Sequence, residues 1–512
     1  MTPRTQMAHE SSKQTTASII RNVIYGSLSW FVPLGLNLIA VPVIVGSLGH
    51  VEYGIYSLVL GFIGYSFTFN FGRAIIKYVA EYRIAGEIDK MNDVISASLL
   101  LSLLIGSIGA LIMCLMARWL VTDVFMIGDD PERAVIAIYL SAGVIFLTMI
   151  SQIFNAVLQG VQRFDVYSKI LTANSLLLIS GNLVLAYLGC GLLALLMWNM
   201  SLIVVFCVIY ALAAKRLLPG FAIRIGIERE MRALVIRYSA AIVGYQTLAN
   251  VLLLFERVWI TQRLGPESLT FYVVPMSLGI FLHGFISSLL IVLFPLASEL
   301  TNEPEKLLRL YLKATKVICL IVVFVVLSVV VQGERFLTLW MGELFARESS
   351  SLLVIHIITF GLISIMAVSW QMTEGLGRPR VIAAATGICS AIGIVLLIAL
   401  VDSSGNKGAA LARLSAFAIV FLAVFFIERM FFGKVQTRFW RGLIGNLAAA
   451  GIFAAIIEYS VMSSLPVKWV TLVLSSLLGA LAYGFVLWLL DFVSADEKLL
   501  VRQVFNRQYR KV

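Results

Sequence analysis

Apolar stretches of about twenty residues recur along the whole chain, separated by short polar segments. A helix rises about 1.5 Å per residue, so about twenty residues cross the ~30 Å hydrocarbon core of a bilayer. The pattern predicts spans at 22–45, 53–78, 94–117, 134–158, 166–188, 192–213 and 239–262. Seven more follow at 270–298, 310–331, 352–373, 381–401, 408–428, 443–462 and 469–491. The period-two alternation of a membrane barrel is missing, and lipid offers backbone groups no other partner, so the spanning element is the α-helix. Fourteen spans, an even number, put both chain ends on one side. Residues 1–21 are polar and lack an apolar core, so the first span is expected to be retained and not cleaved as a signal.

Charge supports this layout. Of the 39 Lys and Arg residues, Arg118, Arg133, Arg263, Arg335, Arg347, Lys407 and Lys468 fall on the side away from the termini. Arg73, Arg257 and Arg413 fall inside spans, and all the others lie on the side of the termini. Basic residues mark the cytoplasmic side, which puts both termini in the cytoplasm. The net charge of +11 is therefore read as helix orientation and not as a nucleic-acid footprint. With 60% hydrophobic and 13% charged residues, a soluble fold is excluded. The five cysteines are scattered, mostly within apolar runs, with no metal or disulfide spacing. No phosphate-binding loop and no catalytic triad or carboxylate pair occurs, and the loops are small. We expect no enzyme, no metal and no cofactor.

The chain repeats itself. Residues 47–82 open with a polar turn, run through an apolar stretch and end on a basic cluster with Ala80-Glu81. The same layout returns at 263–299, where Leu264-Gly265 matches Leu48-Gly49, Tyr272 matches Tyr56 and Ala297-Ser298-Glu299 roughly matches Ala80-Glu81. A second pair follows spans four and ten: Leu158-Gln159-Gly160-Val161-Gln162-Arg163 and Thr373-Glu374-Gly375-Leu376-Gly377-Arg378. Each repeat has an even number of spans, so the repeats share one orientation and imply a pseudo-twofold axis along the membrane normal. The expected organisation is a six-span lobe (1–213), a basic linker (214–237), a second six-span lobe (238–430), and two further spans with a basic tail (431–512). Ile223, Ile227, Met231 and Leu234 of the linker are at helical spacing and predict an amphipathic surface helix whose Arg residues meet anionic headgroups.

Six plus six plus two spans resemble the multidrug/oligosaccharidyl-lipid/polysaccharide exporter superfamily, and the implied fold is all-α and MATE-like. Within it, Leu48-Gly49-His50-Val51-Glu52-Tyr53-Gly54-Ile55-Tyr56 resembles the L-G-x-x-x-Y-G-x-Y segment of Wzx-type polysaccharide flippases, and Lys77–Tyr82 fits the same family. The resemblance implies movement of an undecaprenyl-pyrophosphate-linked oligosaccharide across the bacterial inner membrane, from the cytoplasmic to the outer leaflet. That step would serve O-antigen, capsule or exopolysaccharide synthesis beside a polymerase and a chain-length regulator. Peptidoglycan lipid flippases and multidrug antiporters are the competing relatives. A non-transporting scaffold of a glycan assembly complex is the alternative from another class.

The intramembrane charges are the candidate site. A charge inside hydrocarbon costs at least ~2.5 kcal/mol and normally faces a cavity or a partner. Arg73 either meets the substrate pyrophosphate with its two-donor fork or snorkels to the headgroups. Arg257 is either a pyrophosphate or sugar ligand or half of an interhelical ion pair. Its neighbour Glu256 is a counter-ion or a group coupling transport to an ion gradient. His283 is either an interhelical hydrogen-bonding group or a substrate or proton-coupling residue. Arg413 and His356 lie nearer the outer ends of their spans as interfacial or gate residues, with Arg413 kept among the substrate candidates, and His50 is expected to be solvated. The resemblance adds that spans one, two, seven and eight line a central cleft, which would then be cationic.

Overall fold

The computed structural model describes residues 34–61, 72–127, 130–218, 220–224, 229–290 and 293–492. All regular structure among them is helical. In order these are α1 (Leu34–Gly61), α2 (Gly72–Ala85), α3 (Ile88–Trp119), α4 (Pro131–Gly160), α5 (Phe164–Tyr187), α6 (Gly191–Leu217) and α7 (Arg229–Leu289). The second half holds α8 (Leu293–Glu299), α9 (Pro304–Met341), α10 (Glu343–Gly375), α11 (Pro379–Val420), α12 (Leu422–Phe432), α13 (Thr437–Ser464) and α14 (Trp469–Leu489).

Eleven continuous helical stretches among the described residues are long and apolar enough to cross a membrane. Three of them are broken by a glycine of positive φ: Gly49 (77°), Gly265 (86°) and Gly405 (57°). An L-residue with a side chain resists this backbone conformation, and glycine does not. The breaks fall at the expected boundaries between spans one and two, seven and eight, and eleven and twelve. With them the fourteen expected spans each find a helix. The early part of span one and residues 62–71 of span two lie outside the described residues, and α2 and α8 form the C-terminal ends of spans two and eight.

The chain divides into two compact units, with boundaries inside α7 and α11. One contains residues 1–274 and 383–416. Its apolar core joins Ile75 and Val79 of α2, Met91 and Ile95 of α3, Met149 and Ile153 of α4, and Leu202, Phe206 and Tyr210 of α6. The other contains residues 275–382 and 417–512. Its core joins Leu282 and Ile286 of α7, Leu293 and Ala297 of α8, Ile318 and Val322 of α9, and Ile357, Val368 and Met372 of α10. Outward-facing stripes remain apolar. On α3, Leu104, Ile108, Leu111 and Leu115 are exposed at spacings of three and four, one helical face. On α14, Val473, Leu477 and Leu481 repeat the pattern. Such faces are stable only against lipid tails.

The second repeated motif has one structure in both places. In the first, Arg163 N–H donates to Leu158 O and Gln162 N–H to Gln159 O, at 3.0 and 2.9 Å. In the second, Arg378 N–H donates to Thr373 O and Gly377 N–H to Glu374 O, both at 3.0 Å. Each closes its helix in a Schellman turn, with Gln162 and Gly377 at φ of 60° and 72°. Gly160 lies under Val79, and Gly375 under Phe294 and Ala297, so the equivalent spans approach closely in both halves.

The linker departs from the sequence expectation. Residues 221–224 are not helical, 225–228 lie outside the described residues, and the helix begins at Arg229 as the start of α7. The start of α3 captures the segment: Asn92 donates to Gly220 O and accepts from Ala222 N–H, while Arg224 N–H donates to Ser96 Oγ. The Arg224 guanidinium meets Asp89 and Asp93. Met231 and Val235 are buried against Tyr78, Val94 and Ala97. Part of the linker's apolar face is thus turned to protein, and Arg224 to carboxylates.

Candidate functional site

The two Leu-Gly turns meet. Thr270 Oγ1 donates to His50 O at 2.5 Å, the His50 ring tilts against Phe271 at 4.9 Å, and His50 Nδ1 lies 3.6 Å from a Glu267 carboxylate oxygen. Gly54 faces the Pro266 carbonyl so closely that a methyl group at Gly54 would overlap it. His50 is therefore a packed residue of this junction, with a side chain 27% exposed, where the sequence suggested a solvated one. The L-G-x-x-x-Y-G-x-Y segment needs its second glycine for this approach.

The matched tyrosines lie beneath. Tyr56 Oη accepts from Asn182 Nδ2 and Asn199 Nδ2, each at 3.4 Å, on α5 and α6. Tyr272 lies against Glu256 and Arg413. Asn199 is on the sixth expected span and Arg413 on the twelfth, so each copy of the repeated stretch sets its tyrosine beside a polar group four spans on.

Glu256 and Arg413 form a buried, bidentate ion pair between α7 and α11. Arg413 Nε donates to both carboxylate oxygens at 3.0 and 3.1 Å, and Nη2 also contacts Oε2. The two residues are 1% and 2% exposed. Sequence left Glu256 as a counter-ion or an ion-coupling group, and the offset of about 100° between adjacent helical residues made a direct pair with Arg257 poor; the two side chains do go to different partners. Arg257, also buried, donates from Nη1 to Ser57 O at 2.8 Å. Its stem crosses Gly61, where a methyl carbon would sit 2.5 Å from Cδ. Arg257 thus ties span seven to span two.

His283 lies between two hydroxyls, with Nδ1 3.3 Å from Ser364 Oγ and Nε2 3.4 Å from Ser287 Oγ. His356 is fully buried on α10. The backbone of Arg73 is in α2, and its side chain lies outside the described residues. Two further buried acids were not singled out from the sequence. Glu428 accepts from Tyr311 Oη, Trp440 Nε1 and Gln436 N–H at 2.9, 2.7 and 2.8 Å. Glu458 sits among α9, α13 and α14. The available signal was an isolated Glu inside or closing an apolar span. Among the described residues no group of His, Cys, Asp and Glu is arranged to hold a metal ion. The arrangement offers buried cations, carboxylates and amides that tie helices together.

This geometry defines a polytopic all-helical membrane protein with an internal repeat. Residues 19–301 match the family model described as "Polysaccharide biosynthesis protein", and the chain belongs to that family. The match takes in both Leu-Gly turns. A Shigella flexneri protein named "Putative O-antigen transporter" is 21% identical over 407 residues, spanning 77% of this chain and 94% of that protein. The fold is similar to the lipid II flippase MurJ in an inward closed conformation, with TM-score 0.68, 13% identity and coverage of 90% and 98% of the two chains. It is also similar to an inward-facing multidrug resistance MATE family transporter of the MOP superfamily, with TM-score 0.62, 18% identity and coverage of 80% and 93%.

Proposed function

We propose that this protein moves an undecaprenyl-pyrophosphate-linked oligosaccharide from the cytoplasmic to the outer leaflet of a bacterial inner membrane, for surface polysaccharide synthesis. The observation that carries this reading is the polysaccharide-family match across both copies of the turn. The O-antigen transporter relative, aligned over nearly its whole length, supports the same substrate class. In this reading the termini are cytoplasmic, and lobes 1–213 and 238–430 rock to alternate access. Spans thirteen and fourteen border the path of the lipid tail. A polymerase and a chain-length regulator use the product on the outer side.

Arg73 and Arg257 supply positive charge for the pyrophosphate, whose oxygens suit a guanidinium fork. Arg257 becomes available by leaving Ser57 O, and Arg413 only by leaving Glu256. His283 is a sugar contact or a proton-exchanging group, and Glu256 an ion-coupling group once freed from Arg413. The junction of the two Leu-Gly turns is the outer closure that opens during transport.

The similarity to MurJ favours a second reading, a peptidoglycan lipid flippase. Deleting the protein and identifying the lipid-linked intermediate that accumulates separates the two. An undecaprenyl-pyrophosphate oligosaccharide on the cytoplasmic side is expected. Accumulated peptidoglycan precursor would transfer the assignment to the second reading, and no accumulated lipid-linked sugar would refute both.

A further inference from the structure

Glu458 lies on α13, six residues before its end, and is 1% exposed. Its carboxylate is enclosed on two sides. From α9, Ser328 Oγ donates to Oε1 at 2.7 Å and Gln332 Nε2 donates to Oε2 at 2.8 Å. From α14, Ser475 Oγ donates to the Glu458 main-chain carbonyl at 3.1 Å, and Gly479 lies so close that a methyl carbon there would overlap Oε1. All these partners are neutral. No salt bridge to Glu458 occurs among the described residues. This distinguishes it from Glu256, which has Arg413.

An isolated carboxylate in hydrocarbon is expensive to keep charged, and two neutral hydrogen bonds offset only part of that cost. The Gln332 amide supplies what a protonated form needs. It stands between Glu458 Oε2 and Ser476 Oγ, 3.2 Å from Nε2. With the amide in one orientation, its N–H donates to an ionised carboxylate. With the amide turned over, its carbonyl accepts from a carboxylic acid O–H and its NH2 donates to Ser476 Oγ. A 2.8 Å separation suits either bond. Both protonation states therefore leave the buried groups satisfied. The close donors and Gly479 leave no space on the carboxylate for a metal cation with its several oxygen ligands.

We propose that Glu458 is a proton-binding site in the two spans outside the repeat, carrying its proton at neutral pH, with the Gln332 amide turning to accept from the acid and to donate to the carboxylate. Among the described residues no other titratable group contacts it. Its chain neighbour Tyr459 is exposed, and Glu334 and Arg335 lie past Gln332 on α9. On α14 the facing groups are Ser475, Ser476 and Gly479.

Infrared spectroscopy of the full-length protein in lipid nanodiscs tests this without any transport substrate. The wild type is expected to show a carboxylic-acid carbonyl band at neutral pH that weakens reversibly as pH rises and disappears in Glu458→Gln. Gln332→Leu, which removes the acceptor, is expected to shift that band, so the test survives if Glu458→Gln folds poorly. The melting temperature of the wild type is expected to fall as pH rises through the same range. A neutral-pH spectrum without such a band, or a band indifferent to both substitutions, overturns the proposal.

Discussion

Removing one partner of the Glu256–Arg413 pair strands the other charge in a site that is 1–2% exposed. Breaking a buried pair from one side typically costs about 3–5 kcal/mol. Glu256→Met and Arg413→Met are each expected to fall in that range, since Tyr272 is the neutral neighbour left to either charge. The double replacement Glu256→Met with Arg413→Met removes both charges and fills similar volume. Replacing buried pairs by apolar residues is often neutral or stabilising, so the double variant is expected within about 1–2 kcal/mol of wild type. The coupling energy is then at least ~4 kcal/mol, far outside the additivity of independent sites. Equilibrium unfolding of purified protein in mixed micelles, run as a double-mutant cycle, measures it. Singles each costing under ~1 kcal/mol, with an additive double, would refute the pairing of α7 with α11 through these side chains.

Three further outcomes follow from the same structure. Gly54→Ala should destabilise the protein and lower transport, although alanine is the better helix former by ~1 kcal/mol, because its methyl meets the Pro266 carbonyl. A thermal melt that rises would contradict the contact. Gln162→Gly should stabilise the Schellman turn at φ 60° by up to ~1 kcal/mol, and Gly377→Gln should cost a similar amount at φ 72°. Calorimetric melting temperatures check both signs. Glu428→Ala removes the acceptor of Trp440 Nε1 and Gln436 N–H and leaves Tyr311 Oη only Ser369 Oγ at 3.4 Å, at roughly 1–3 kcal/mol for each buried group left unsatisfied. Glu428→Gln should recover part of that loss.

The span layout was legible because it rests on two coarse signals, apolar run length and the placement of Lys and Arg. The repeat was legible because the positions that carry it are ones few residues can fill: Gly49 and Gly265 by their positive φ, Gly160 and Gly375 by the close approach of a neighbouring helix. What the intramembrane charges touch was not. Helical offset separates the adjacent side chains of Glu256 and Arg257, but their partners Arg413 and Ser57 lie 157 and 200 positions away. Helix phase gives the angle between neighbouring side chains. It does not give which helix stands opposite. The linker failed for a related reason: its periodicity was real in Met231 and Leu234, but Asn92 and Ser96 on α3 offered the preceding backbone better partners than its own helix.

The central claim is tested most directly with purified protein in liposomes carrying an undecaprenyl-pyrophosphate-linked oligosaccharide in the inner leaflet. A lectin or glycosidase outside reports sugar that reaches the outer leaflet. Wild type is expected to expose the oligosaccharide in a protein-dependent manner, with Arg257→Ala reducing the rate at least about tenfold and Arg257→Lys reducing it less, given the fork that lysine lacks. Folded wild-type protein that leaves the sugar inaccessible would contradict the proposed function, and Arg257→Ala at full rate would contradict the assigned pyrophosphate contact.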